Sequence, residues 1–353
     1  MKQIVTILFI LIGISSHAQS LRDSVLQNVT KQIIMDVINP IELEVSFASV
    51  VIMETQTGNV KSIINLKRTG WGWDEDDDEK HFIAAGNTRA ALYLALLESG
   101  ASPSETFYTS GVMTDVKAGC IIKDWNWERG GYNIYLSKAM DQSDIAIIEA
   151  CEQHFCRSMG TLAFYLSKTG IDLGDKGPEK TYEEFLNTYE HTAWNPMGIL
   201  GYRDKITPLQ MTMWMQGIAN DGKMIMPRFN ESDSIVTIYE QMAQKKNIDS
   251  LKSALREAVL YGWSKKADSE YVPVYGTTNV SIEDGEGQHC SMFSGFIPNY
   301  TITVNIVMSG AKVRRTPIAI AKGIIDWIVQ NKLNMQKEAP TPKKNRPLPR
   351  GVD

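Results

Sequence analysis

Apolar and polar residues follow a strand-like pattern near both ends of the chain. The run Phe47–Met53, a turn at Thr57 and Gly58, and the run Val60–Leu66 predict a β-hairpin. The acidic segment Asp74–Lys80 that follows is predicted to form an exposed loop. Further strands are predicted at 271–280, 290–296 and 300–308. The last alternates strictly and is expected to be half-buried, with polar positions at Thr301, Thr303 and Asn305.

Helical patterns fill the middle of the chain. Residues 90–97 (AALYLALL) are apolar on every side, which predicts a helix buried all round. Thr207, Pro208 and Gln210 form the start of another helix, in which Thr207 is the N-cap and Gln210 completes a capping box. Other helices are predicted within 20–45, at 143–156 and 160–168, and from Thr316 onward. Strands at both ends and helices between them indicate an α+β domain with an antiparallel sheet built from distant segments.

The N-terminal residues have the features of an export signal. Lys2 precedes the apolar run Ile4–Ile14, and Ser16-His17-Ala18 fits a signal-peptidase site, so residues 1–18 are predicted to be removed before Gln19. An uncleaved anchor helix is the alternative. No later apolar run is long enough to span a membrane. The mature protein is therefore expected to be soluble, without a transmembrane segment, in the periplasm or cell envelope.

Composition sets further limits on the 353-residue chain. The net charge of −5 argues against nucleic-acid binding, which requires a basic face. Residues 19–45 are predicted to form a helical lead, residues 46–332 the main domain, and residues 333–353 a disordered, basic, Pro-rich tail. No phosphate-binding loop or dinucleotide motif occurs, so no cofactor is expected.

Four cysteines are present, and their pairing is left open because an exported chain permits three connectivities. Cys151 and Cys156 lie in one predicted helix, too far apart for a disulfide unless the helix breaks. Together with His154 they also resemble a metal-binding motif. Packing of these side chains within the helical core is the favoured interpretation, so no metal site is expected. The other two cysteines are Cys120 and Cys290.

Four sequence blocks, in order, resemble the transpeptidase domain of penicillin-binding proteins, the serine acyl-transferases of cell-wall synthesis. They correspond to that domain's opening hairpin, its T-G-I-D-L loop, its T-P-L-Q helix and its S-F-x-G-F strand pair. The blocks are Ala48–Ile63, Ser167–Glu179, Ile206–Phe229 and Ser291–Met308. The resemblance implies that family's β-lactamase-like fold, an antiparallel sheet with flanking helices and a helical subdomain.

The first catalytic motif of that family departs from its pattern here. The family places a serine at the start of a buried helix, with a lysine three residues on to take its proton. Alignment on Gly86 puts Asn87 at the serine position and Ala90 at the lysine position. A carboxamide is not a nucleophile. Thr88 carries a hydroxyl and stays a candidate nucleophile, although its own i+3 neighbour is Ala91.

The second and third motifs also differ. Gln142-Ser143-Asp144 occupies the place of the Ser-x-Asn motif, and Ser143 is the second candidate nucleophile. Thr277-Thr278-Asn279 occupies the place of Lys-Thr-Gly, so only Thr278 agrees with the family. Lys168-Thr169-Gly170 and the segment from Ser309 to Lys312 match motif spellings, but they stand at the wrong places along the chain.

These departures predict a non-catalytic domain that keeps a binding cleft. The expected cleft residues are Asn87, Gln142, Asp144, Thr277, Thr278 and Asn279. The expected partners are a peptidoglycan peptide or glycan, or a protein of the envelope. The alternative is an active D,D-transpeptidase or carboxypeptidase that uses Thr88 or Ser143. A third hypothesis is an envelope scaffold without a ligand.

Overall fold

The two ends of the chain meet in one antiparallel sheet, and the middle of the chain forms helices and small sheets beside it. The structure is a computed structural model that describes residues 19–70, 72–76, 80–83, 85–115, 120–171, 194, 196–201, 205–282, 288–310 and 313–333. The predicted signal peptide, nearly all of the predicted tail and residues 172–179 of the second sequence block lie outside the described residues.

Fourteen strands and nine α-helices can be followed in the described residues. In chain order the strands are β1 (Val45–Glu54), β2 (Val60–Thr69), β3 (Gly72–Glu75), β4 (Phe82–Ile83), β5 (Thr106–Thr109), β6 (Val112–Asp115), β7 (Cys120–Lys123), β8 (Tyr132–Tyr135), β9 (Lys205–Ile206), β10 (Met224–Ile225), β11 (Thr237–Tyr239), β12 (Tyr275–Ile282), β13 (His289–Ile297) and β14 (Tyr300–Met308). The helices are α1 (Ser24–Ile38), α2 (Arg89–Glu98), α3 (Leu136–Gln142), α4 (Asp144–His154), α5 (Met159–Lys168), α6 (Pro196–Ile199), α7 (Pro208–Ala219), α8 (Lys245–Tyr261) and α9 (Arg315–Asn331). Short 3₁₀ segments are Asn39–Glu44, Ala85–Thr88 and Lys265–Ala267.

The main sheet has the strand order β12-β13-β14-β1-β2-β3. The predicted hairpin is confirmed, since β1 pairs antiparallel with β2, for example Val50 with Ile64. On its other side β1 pairs antiparallel with β14, where Val50 lies opposite Val304. The α+β class predicted from the order of strands and helices is therefore confirmed.

Strand β14 was expected to be half-buried, and this prediction is wrong. Thr301, Thr303 and Asn305 are fully buried, like the apolar residues between them. Helix α7 packs on β14, and α9 also packs on it, so every residue of the strand after Tyr300 is buried. The threonines are tolerated because they bond to their neighbours: Thr303 and Ser294 share a 2.9 Å hydrogen bond, and Thr301 and Thr55 share one of 3.2 Å.

The acidic segment was predicted to be a loop throughout, and its first part is a strand. Asp74 and Glu75 belong to β3, which pairs with the end of β2. The Lys31 side chain forms an ion pair with Glu75, and Lys80 lies 2.6 Å from Asp76. Backbone pairing with β2 and nearby lysines therefore offset the low strand propensity of this acidic sequence.

Two helix predictions are confirmed in detail. Every residue from Arg89 to Leu97 in α2 is buried, as the all-round apolar pattern indicated. At the start of α7 the Thr207 hydroxyl accepts a hydrogen bond from the Gln210 N–H at 3.1 Å. The side-chain oxygen Oε1 of Gln210 accepts one from the Thr207 N–H at 2.8 Å, which completes the capping box.

Helix α4 ends earlier than predicted, at His154, and Cys156 follows it with a positive φ of 51°. Cys151 and Cys156 are free thiols, and the Cys290 thiol donates a 2.8 Å hydrogen bond to Oδ1 of Asn305. The side chain of Cys120 is outside the described part. No helix among the described residues is long and apolar enough to cross a membrane. In the same residues there is no group of three His, Cys, Asp or Glu side chains suited to a metal ion.

Candidate functional site

Three separate segments bring the motif positions together beside α2. The 3₁₀ turn Ala85–Thr88 leads into α2, and β12 packs against this turn. The junction between α3 and α4 lies on another side, where an oxygen of Asp144 is 3.4 Å from Nη1 of Arg89. The structure thus places the Asn87 turn, the Gln142–Asp144 segment and the Thr277–Asn279 segment next to the start of α2. We call this location the cleft.

Asn87 lies at the serine position of the family, and its side chain is only 5% exposed. Its Nδ2 atom has no hydrogen-bond partner in the structure as described. Ala90, at the lysine position, is buried in the helical core. The first motif therefore presents a carboxamide and a methyl group. The carboxamide cannot attack a carbonyl carbon, and the methyl group cannot accept the proton of a nucleophile.

Asn279 closes the cleft over the turn that carries Asn87. A Cβ atom added to Gly86 would lie 1.5 Å from Nδ2 of Asn279, so the amide rests directly on this glycine. Its Oδ1 accepts a hydrogen bond from the neighbouring Val280 N–H at 2.7 Å, whereas Nδ2 has no partner in the described chain. A glycine at position 279 would leave this space open, and the asparagine fills it.

The other two residues of the third segment are also buried. The Thr278 hydroxyl donates a 3.0 Å hydrogen bond to the Met292 carbonyl oxygen on β13. Thr277 is 8% exposed and lies opposite Ser294 on that strand. Thr278 thus stabilises the sheet, and the cationic group that a lysine would supply at position 277 is missing.

Both candidate nucleophiles have hydroxyl groups that are occupied by protein contacts. Thr88 is fully buried and donates a 3.2 Å hydrogen bond to the Leu200 carbonyl oxygen. Ser143, also fully buried, is the N-cap of α4 and accepts a hydrogen bond from the Ala146 N–H at 2.9 Å. Neither position has a lysine amine at i+3, since Ala91 and Ala146 stand there.

Asp124 holds Ser143 in place and was not found from the sequence. Its carboxylate accepts 2.5 Å hydrogen bonds from the hydroxyl groups of Ser143 and Thr109, and another at 3.0 Å from the Asp144 N–H. Burial raises the pKa of this carboxyl group, and the hydroxyl donors partly oppose the increase. Asp124 thereby anchors the first turn of α4 to the end of β7, the strand that it follows.

A group of four charged side chains, two buried and two partly exposed, lies beside the cleft. Arg89 and Arg314 contribute two guanidinium groups, and Asp141 and Asp144 contribute two carboxyl groups. Burial raises the pKa of Asp141 to about 6, and the charges of Arg89 and Arg314 counteract it. Burial together with the charge of Arg89 lowers the pKa of Arg314, whose guanidinium group stacks 4.3 Å from the Trp263 ring.

The sequence contained one signal for this charged group. Arg89 starts a helix whose other residues are almost all apolar, and a buried arginine needs an acidic partner. Its acidic partners come from α3 and α4, and the second arginine, Arg314, comes from the N-cap of α9. No local sequence pattern connects these segments. The two misplaced motif matches lie elsewhere: Gly170 packs against Met224 and Tyr239, and the Ser309 N–H donates to the Glu44 carbonyl oxygen.

Comparison with known proteins agrees with this fold. The family model described as the penicillin binding protein transpeptidase domain matches residues 48–330. The chain therefore belongs to the penicillin-binding protein transpeptidase domain family, as the sequence blocks implied. No curated protein sequence matches it.

Solved structures with a similar fold are penicillin-binding proteins from several bacteria. The transpeptidase domain of penicillin-binding protein 3 from Burkholderia pseudomallei has a TM-score of 0.67 and 16% identity, over 93% of this chain and 100% of that one. Apo penicillin-binding protein 3 from Mycobacterium tuberculosis has a TM-score of 0.64 and 18% identity, over 92% of this chain and 81% of that one. Penicillin-binding protein 2B from Streptococcus pneumoniae has a TM-score of 0.68 and 15% identity over 89% of this chain, which spans 59% of that protein.

Proposed function

We propose that this chain is a non-catalytic member of its family that binds a peptidoglycan peptide or glycan, or a protein of the cell envelope, without forming a covalent bond. The observation that supports the non-catalytic part of the proposal is the position of the Asn279 amide against Gly86, the residue that directly precedes Asn87. An unreactive amide stands at the nucleophile position, and a second amide fills the space over the glycine that precedes it.

The alternative of an active D,D-transpeptidase or carboxypeptidase is less well supported by the contacts of Thr88 and Ser143. Serine and threonine nucleophiles need a neighbouring base and access to the substrate. Ser143 does have a carboxylate, Asp124, at hydrogen-bond distance. However, the Ser143 hydroxyl also accepts a helix-capping hydrogen bond and is fully buried, so these contacts are better explained as support for α4.

Incubation with a β-lactam is expected to leave the mass of the protein unchanged. The Mycobacterium penicillin-binding protein 3 with a similar fold has been solved in complex with aztreonam and with ampicillin, so these compounds are suitable probes. Intact-mass spectrometry would be recorded beside an active penicillin-binding protein as positive control. An acyl adduct, mapped by peptide digestion to Thr88 or Ser143, would overturn the proposal and favour the enzymatic alternative.

Binding to isolated peptidoglycan distinguishes the partners. If the ligand is peptidoglycan, the folded protein is expected to sediment with purified sacculi, and the heat-unfolded protein serves as control for non-specific adsorption. Retention that is competed by soluble stem peptides would favour the peptide, and retention that is competed only by glycan fragments would favour the glycan. If the protein stays in the supernatant, an envelope protein becomes the favoured partner.

The proposed location in the envelope makes a separate prediction about processing. In a host with a general secretory pathway, the exported protein is expected to begin at Gln19, because Ser16-His17-Ala18 fits the peptidase site. The folded domain holds this new terminus: the Glu231 N–H donates to the Gln19 carbonyl oxygen, and the Leu21 N–H donates to Phe229. Mass spectrometry of the secreted form tests the cleavage site, and an intact N-terminus would favour the anchor alternative.

A further inference from the structure

A cavity of about 350 Å³ lies between β5 and the later turns of α4. Its volume falls within the range of ~300–1,000 Å³ that is typical of small-molecule sites. Asp144 at the start of α4 faces Arg89 in the cleft, whereas Glu149 and Gln153 lie about 8–14 Å further along the helix. The cavity is therefore separate from the motif positions. Its lining includes Thr106, Tyr108, Glu149, Glu152, Gln153 and Arg157.

Tyr108 gives the cavity an exposed aromatic wall. The residue is 57% exposed, and its ring lies across Gly131, where an added Cβ atom would be 2.0 Å from the tyrosine oxygen. Tyr135 is 51% exposed and stands on the same face of the β5–β8 sheet, because it pairs with Thr106, two residues before Tyr108. The two tyrosines are therefore diagonal neighbours, about 7–8 Å apart on an antiparallel pair of strands.

The two carboxylates of the cavity differ in their contacts. Glu152 is held at both oxygens: Oε1 accepts a 2.9 Å hydrogen bond from Nε1 of Trp194, and Oε2 accepts one of 3.0 Å from Nη2 of Arg157. The Glu149 carboxylate has neither a hydrogen bond nor an ion pair among the described contacts. Burial and the charge of Glu152 raise the pKa of Glu149. Glu149 is therefore free to accept hydrogen bonds from a ligand.

The charges of the lining limit the class of ligand. Two carboxylates, Glu149 and Glu152, against one guanidinium group, Arg157, leave one negative charge, which disfavours an anionic ligand. An apolar ligand would cover Glu149 without giving it a partner, which is unfavourable. A sugar ring avoids both costs, because its hydroxyl groups donate to carboxylates and accept from Arg157 and Gln153. Its C–H groups can also pack on the electron-rich face of a tyrosine ring.

We propose that this cavity and the adjoining tyrosine face bind a neutral glycan chain, with one sugar ring on Tyr108 and the next towards Tyr135. The carboxylate of Glu149 would accept hydrogen bonds from hydroxyl groups of the first sugar. Lys138, whose Nζ lies 5.9 Å from the centre of the Tyr135 ring, adds a hydrogen-bond donor at the other end. This inference rests on the proposed non-catalytic binding function, and it selects the glycan as the ligand and places it outside the cleft.

Calorimetric titration of the intact protein with a neutral tetrasaccharide of N-acetylglucosamine tests the class of ligand. Saturable binding is expected, and a tetrasaccharide of galacturonic acid, which carries a carboxylate on every sugar, should bind at least tenfold more weakly. Absence of binding by the neutral glycan, or equal binding by the acidic one, would overturn the proposal. Binding of methylammonium without binding of the glycan would also overturn it, in favour of a cation site at Glu149.

Substitutions of Tyr108 test the position of the site. Tyr108→Ala removes the ring and is expected to raise the dissociation constant for the neutral tetrasaccharide at least tenfold, whereas Tyr108→Phe keeps the ring and should change it by no more than about twofold. Tyr261→Ala is the matched control, because Tyr261 is 45% exposed at the end of α8, and it should leave the affinity unchanged. Wild-type affinity in folded Tyr108→Ala, or an equal loss in Tyr261→Ala, would contradict the proposal.

Glu149→Ala provides a second test, which decides the matter if Tyr108→Ala does not fold. It removes the unpaired carboxylate from the partly exposed side of α4 and is expected to raise the same dissociation constant at least fivefold. Unchanged affinity in this variant would contradict the proposal. An acyl adduct with ampicillin would contradict the proposed function. Failure of the glycan to bind, without an adduct, would contradict only this inference, because a peptide or an envelope protein would remain as the partner.

Discussion

Replacing Asp124 with alanine is expected to lower the free energy of unfolding by about 3–5 kcal/mol. The carboxylate accepts hydrogen bonds from the hydroxyl groups of Thr109 and Ser143 and from the backbone N–H of Asp144. Alanine would leave these donors without their partner in a region where both hydroxyl-bearing residues are fully buried. Urea unfolding followed by circular dichroism measures the difference.

Two further variants provide the comparison that is needed to interpret the loss of stability of Asp124→Ala. Asp124→Asn keeps the size of the side chain and one acceptor oxygen, so an intermediate loss is expected. Asp36→Ala lies on the exposed surface of α1, where a change within about 0.5 kcal/mol is expected. If Asp124→Ala destabilises no more than Asp36→Ala, the network around Ser143 is not a structural anchor, and the catalytic interpretation of Ser143 gains weight.

The sequence was sufficient for the elements with strong local patterns. The paired runs around Gly58 predicted β1 and β2, the apolar stretch predicted α2, and Thr207 with Gln210 predicted the start of α7. The burial of β14 could not be predicted in this way. Its alternation of Thr301, Thr303 and Asn305 with apolar residues is the same for a strand that faces water and for one that a helix covers.

For the site, too, the sequence located residues but did not predict the long-range contacts that they make. The resemblance to a known family located Asn87, Ser143 and Asn279, and the structure places their segments together. The contacts that decide their roles come from elsewhere in the chain. Asp124 reaches Ser143 from the helical subdomain, and Arg314 reaches the charged group from the last helix region. These contacts depend on packing between elements, which hydrophobic periodicity does not specify.

A pH-dependent loss of stability is expected from Asp141. Burial raises the pKa of its carboxyl group from 3.8 to about 6 in the folded protein. Because the folded state then binds the proton more tightly than the unfolded state, this group contributes stability below about pH 4. That contribution decreases as the pH rises and is lost above about pH 6. A difference of about two pH units corresponds to about 3 kcal/mol.

Asp141→Asn isolates this effect, because asparagine cannot titrate and its oxygen can still accept the hydrogen bond from the Trp263 N–H. The free energy of unfolding would be measured for both proteins from pH 3 to pH 7. The wild-type value is expected to fall relative to that of the variant by about 3 kcal/mol over this range. The same substitution at exposed Asp36 controls for the general loss of a carboxylate. If the wild type instead gains stability relative to Asp141→Asn as the pH rises, the attraction of Arg89 and Arg314 for the Asp141 carboxylate outweighs the effect of burial.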